Sequence, residues 1–161
     1  MGYTLAELAP TLGSISPPRL RQLWNQVLGY RKLPEDKVLG DGDCLVLWLA
    51  AVLTARRLLS AELQYLVLDE YGQQVRSFGD QLGQMLQQTN YSGSGLQSAA
   101  LSIIDGNQLV RFSGEEDFFD LKRLVRVKTP ERPPLEFLTL DLTALFTRMR
   151  AVITSAKRNG G

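Results

Sequence analysis

The chain has 161 residues, 44% of them hydrophobic and 22% charged, with a formal net charge of +1; this is the make-up of a folded globular chain of one or two small domains, not of a disordered one. It contains no histidine, which removes His-based triads, most general acid–base schemes and the commonest zinc ligand. The single cysteine, Cys44, allows neither an internal disulfide nor a paired-thiolate metal site.

Helices follow one another through residues 1–71. In "YTLAELAPTLG", Thr4 stands three residues before Glu7, the spacing of a reciprocal capping pair, and Leu5, Leu8 and Leu12 fall on one face before Gly13. In "SISPPRLRQLW", Ser16 suits a helix cap and Pro17 suits the first helical position, where no backbone donor is needed. Leu20, Leu23, Trp24, Val27 and Leu28 then form a broad apolar stripe that ends at Gly29. The prolines therefore begin this helix and do not break it. A turn-rich connection with Arg31, Lys32 and Lys37 leads to a third helix, capped by Asp41 or Asp43 and running to about Arg57. Its run "CLVLWLAAVL" is apolar on nearly every face, which predicts a central core position for the helix and a buried place for Cys44. The run is shorter than the roughly 18 residues of a membrane span. With no basic-then-apolar leader at the start, a cytoplasmic protein without a membrane partner is expected.

A fourth helix is predicted from near Ser60, and a fifth over residues 73–89. Val75, Phe78, Leu82 and Met85 recur at alternating three- and four-residue steps, the seam of a partnered helix, and are the expected dimer interface. "NYSGSG" at 90–95 reads as a linker. Beyond it, "ALSII" and "QLVRFS" flank Asp105-Gly106, a strong hairpin signal. "RLVRVK" and "LEFLTLDL" read as further strands, followed by a closing helix to about Lys157. The expected fold is α+β: an all-helical unit at 1–71, a dimerisation helix at 72–90, and a small antiparallel sheet with a helix at 91–161.

Two short helices joined by a tight turn match the helix-turn-helix, whose second helix enters the DNA major groove. Opposite its apolar stripe, the second helix carries Pro18, Gln22, Asn25 and Gln26, with Arg19 and Arg21 on the flanks. Arginine grips guanine or phosphate with two donors, and Asn or Gln pairs with adenine. Arg31, Lys32 and Lys37 supply the cations of a wing. Residues 1–59 hold seven Lys/Arg against five Asp/Glu, so affinity would rest on placed side chains and not on bulk charge. Glu115, Glu116, Asp117 and Asp120 form an acidic group of the kind that can hold a hard cation, but a solvated turn accounts for it, and no phosphate loop or nucleophile elbow accompanies it. No cofactor, metal or enzymatic activity is expected.

The segments "YTLAELA", "ISPPRLRQLW" and "DGDCLVLWLAAVL" resemble the N-terminal winged helix-turn-helix of MerR-type transcription regulators. Tyr3, Thr4, Leu5, Glu7, Leu8 and Ala9 match that family's opening, while Ile15, Ser16, Leu20 and Arg21 match its recognition helix. Ser60 and Glu62 stand where its next helices begin, so the likeness covers residues 3–70. Gln22 and Leu23 replace the family's paired tyrosines, Gly29-Tyr30-Arg31 comes early for its wing signature, and its metal-sensing cysteines are missing. The size and the α+β tail look most like the compact MerR-type repressors of CRISPR-associated transposons. The resemblance implies a winged helix-turn-helix, homodimerisation through a long helix at 73–89, and repression at an inverted-repeat operator in double-stranded DNA. An adaptor that binds other proteins and no DNA is the alternative that the residues leave open.

Overall fold

The computed structural model describes residues 2–13, 15–27, 38–55, 61–88, 98–104, 109–114, 131 and 137–160. A short helix α1 (Leu5–Leu8) tightens into a 3-10 turn (Ala9–Leu12) and is followed by α2 (Pro17–Val27), α3 (Asp41–Ala55) and α4 (Ala61–Gln87). Strands β1 (Ala99–Ile104), β2 (Leu109–Gly114) and β3 (Phe137–Asp141) precede the closing helix α5 (Leu142–Asn159). The fold is α+β, as the sequence predicts.

Local chemistry accounts for the first two helical segments. The Thr4 N–H donates to Glu7 Oε2 at 2.8 Å and the Glu7 N–H donates to Thr4 Oγ1 at 3.4 Å, which is the reciprocal capping pair. Pro10 has no N–H for an i→i−4 bond, so the helix narrows to 3-10 geometry where it occurs. The turn closes with the Ile15 N–H on the Leu12 carbonyl at 2.8 Å, and α2 starts at Pro17. Tyr3 and Leu39 then exchange two backbone hydrogen bonds of 2.9 and 2.7 Å. The chain thereby returns to its own beginning before α3.

The apolar helix α3 is the core. Nearly all its residues are buried, and it packs against α4, α5 and the 3-10 turn. Trp48 Nε1 donates to Thr11 Oγ1 at 3.2 Å, and that hydroxyl donates to the Leu8 carbonyl at 2.6 Å. Helix α4 is a single 27-residue helix where the sequence suggests two, and Gly72 is buried inside it. An internal glycine costs about 1 kcal/mol relative to alanine, which the packing of Leu68, Val75, Phe78 and Leu82 in the common core offsets. The boundary expected at 71/72 therefore falls within a continuous helix.

The sheet has the order β2-β1-β3, antiparallel throughout. Ile104 lies opposite Leu109 and also opposite Phe137, which fixes the hairpin register and seats β3 on the other edge of β1. Ala99, Leu101 and Ile103 alternate into the core, where α5 packs through Leu142, Phe146, Met149 and Ile153. The expected strand at 123–128, the linker at 90–95 and the acidic group at 115–120 lie outside the described residues.

The first turn of α3 sits on the backbone of α4. A Cβ added at Gly83 would overlap the Asp41 carboxylate and come within 2.9 Å of Asp41 Cβ; one added at Gly79 would stand 2.9 Å from the Gly42 Cα. Gly13 has open space around its α-carbon. Gly83→Ala should therefore destabilise by about 1–3 kcal/mol through overpacking, against the usual gain of alanine in a helix, whereas Gly13→Ala should be neutral or mildly stabilising. Thermal melts of the two variants check this, and a Gly83→Ala protein as stable as the parent would contradict the close approach.

Candidate nucleic-acid interface

Helix α2 lies against α4, and Trp24 anchors it with no exposed surface. Residues 18, 21, 22 and 25 are spaced i, i+3, i+4, i+7 and so share a face. On that face Pro18, Arg21, Gln22 and Asn25 are all exposed. Arg19 is half-exposed on one flank. The helix contains two arginines and no acidic residue. Its outer face thus combines one long cation with directional amide donors and acceptors, a set suited to phosphate and base edges. Gln26 belongs to α2, but its side chain lies outside the described residues, as do Arg31, Lys32 and Lys37 of the expected wing. The structure brings together four of the expected DNA-facing residues: Arg19, Arg21, Gln22 and Asn25.

The expected dimer seam has another role. Val75, Phe78 and Leu82 are buried within the chain and Met85 is half-buried, all packed in the core that α3 shares with α4. The seam has a partner helix, supplied by the same chain, so its spacing gives no reason to place a dimer contact there.

Sequence reasoning missed a polar junction behind this region. The Asp41 carboxylate receives Arg150 of α5 at 3.1 Å, and Asp43 receives Arg76 of α4 at 2.8 Å. The Gly42 N–H donates to Asp80 Oδ1 at 2.8 Å. Asp43, the third residue of α3, also reaches back to accept the N–H of Gly40, the residue before the helix, at 3.4 Å, the back-reaching half of a capping box. Both Asp41 and Asp43 are buried, at a helix N-terminus where unsatisfied donors and the macrodipole favour anions. The glycine pair Gly79 and Gly83, one turn apart, was the available signal that another backbone approaches there. Nearby, burial pushes the Tyr3 hydroxyl above its ordinary range, with Arg150 acting the other way, and burial likewise raises the Cys44 thiol. Cys44 is therefore an inert core residue.

No family model, curated protein or solved structure matches this chain. Among the described residues there is no cluster of His, Cys, Asp and Glu able to hold a metal, and no helix long and apolar enough to cross a membrane.

Glu7 ties this region's electrostatics to acidity. The Thr4 N–H, and then Lys157, hold its carboxyl below the ordinary value of 4.5. A lowered folded pKa means that folding favours the ionised form. The stabilisation is complete above the unfolded value and is lost as pH falls through the folded one. Glu7→Gln should therefore flatten the acid limb of the stability profile below about pH 4.5 by lowering the neutral-pH plateau, because the protonated carboxyl and the amide are both uncharged and the two proteins converge at acid pH. Denaturant titrations across that range check it; an identical acid limb in the variant would show that Glu7 contributes nothing.

Proposed function

We propose that this chain is a sequence-specific DNA-binding regulator, a homodimeric repressor acting at a promoter operator, in which α2 is the recognition helix of a winged helix-turn-helix. One observation carries the reading: the exposed, acid-free face of Pro18, Arg21, Gln22 and Asn25 on a helix anchored from behind by buried Trp24. The likeness of residues 3–70 to MerR-type regulators supports it. In this reading Arg21, Gln22 and Asn25 meet base edges, Arg19 and Gln26 flank them, and Arg31, Lys32 and Lys37 of the wing meet phosphates. Two protomers present two recognition helices to half-sites about one helical turn, or a multiple of it, apart. With the apolar side of α4 occupied by α3, a dimer built along α4 would use its outer side, where Gln73, Gln74, Ser77, Gln81 and Gln84 are exposed.

The test is a genomic DNA pull-down with sequencing, followed by a salt titration on the recovered site. One discrete inverted-repeat site is expected. With roughly six to ten phosphate contacts from two protomers, affinity should fall about 10³–10⁵-fold between about 50 and 200 mM salt. Arg21→Ala should cost about 1–3 kcal/mol and relax preference at one base position, whereas Lys37→Ala should weaken all sequences alike. Recovery of no site, or a flat salt response, would overturn the reading in favour of an adaptor without DNA contact.

A further inference from the structure

Helix α5 reaches from the sheet to the first helical segment. It follows β3 without an intervening residue: β3 ends at Asp141 and α5 begins at Leu142. The Asp141 carboxylate caps the helix, accepting the Ala144 N–H at 2.9 Å. From there 18 residues carry the helix roughly 27 Å, packing on β1 and β3 and also on α1, the 3-10 turn and α3. Midway, Arg150 holds Asp41 at 3.1 Å. At the far end Lys157 pairs with Glu7 at 3.2 Å and lies 5.0 Å from the centre of the Tyr3 ring.

Glu7 is also the carboxylate that accepts the Thr4 N–H to start α1. One side chain thus joins the first turn of α1 to the last turns of α5. Helix α1 has four residues, far fewer than the roughly 12–15 at which even a good helix former becomes marginal in isolation. Its order depends on what it touches. A rigid rod joined directly to the sheet therefore ends on the element least able to hold itself.

We propose that α5 is an internal lever through which the state of the β2-β1-β3 sheet sets the order of α1 and the 3-10 turn, with Lys157, Glu7 and Tyr3 as its working end. For its regulatory meaning the lever rests on the DNA-reading role of α2: straining the sheet loosens α1, which precedes α2 by one short turn, and lowers affinity for the operator.

Hydrogen exchange of the full chain, read by mass spectrometry, tests the lever with no DNA present. Asp141→Ala removes the exposed cap at the sheet end. Amides of the first turns of α5 and those of residues 5–12, at the other end of the helix, should both exchange roughly fivefold faster, while the interiors of α3 and α4 keep their protection. In a Glu7→Gln/Lys157→Met background the same substitution should speed only α5, because Gln still reaches back to cap α1 but no longer ties it to the rod. If that background by itself deprotects residues 5–12, Lys157→Met alone, which leaves Glu7 in place, serves as the uncoupled form. Acceleration confined to α5, acceleration spread equally over α3 and α4, or an effect on residues 5–12 that survives uncoupling would each overturn the lever. The DNA pull-down stands or falls separately from this result.

Discussion

The rest of the structure depends on how closely the first turn of α3 lies on α4. Gly42 lies against Gly79 and the Arg76 carbonyl, and the Asp41 side chain lies against Gly83, with no room for a further side chain at any of the three glycines; this contact draws Asp41 and Asp43 out of solvent. A carboxylate taken from water costs several kcal/mol unless it is paired and hydrogen-bonded. Here Arg76 comes from α4 and Arg150 from α5, while the positive end of the α3 dipole lies beside the aspartates. Such pairs add little net stability over an apolar packing of the same volume. They specify which helices meet at that point, because any other arrangement leaves a buried charge without a partner.

Two consequences follow for the architecture. Helix α3 becomes an internal axle, with the 3-10 turn and α5 packed around it and α4 alongside. The C-terminal sheet and helix are then not an appendage, since the residues of α5 share one core with Tyr3, Leu8 and Trp24. Trp24 commits α2 to that core, and among the described side chains of the helix Pro18, Arg21, Gln22 and Asn25 are the exposed ones, left for contact with anything else.

Legibility in the sequence divides along the range of the signals. Capping at Thr4 and Glu7, the start of α2 after Ser16, the β1–β2 hairpin and the last helix are written in residues a few positions apart, and the structure has them. The seam at Val75, Phe78 and Leu82 announces a partner, but spacing alone cannot say which chain supplies it; the apolar helix upstream fills it. The two helices expected on either side of Gly72 are one, because core contacts on both sides of that glycine outweigh the local preference for glycine at helix endings. The Asp-Gly-Asp at 41–43 reads as a cap; Gly40 holds the cap position and Asp43 reaches back to its N–H. The partner of Asp41 stands 109 residues away, beyond any local pattern. On α2 the 3.6-residue period was enough to place Arg21, Gln22 and Asn25 outward, which is why the candidate face was legible where the junction behind it was not.

In the proposed DNA-reading role, a nearly neutral chain would have to act by position. Of its cations, Arg76, Arg150 and Lys157 are engaged with carboxylates inside the molecule, so they contribute little field outside it. The face on α2 instead offers amides, whose hydrogen bonds are directional and lose most of their value when misaligned. Such a face discriminates only if its helix is held still. Burial of Trp24 holds α2 from behind, and the short turn through Ile15 ties it to α1 and the 3-10 turn. Those four-residue segments rest in turn on α3 and α5. In the proposed DNA-reading role, positional reading by α2 and support of α1 by α5 would be two ends of one mechanical requirement: the weaker the long-range attraction, the more of the specificity must come from rigidity supplied by distant parts of the chain.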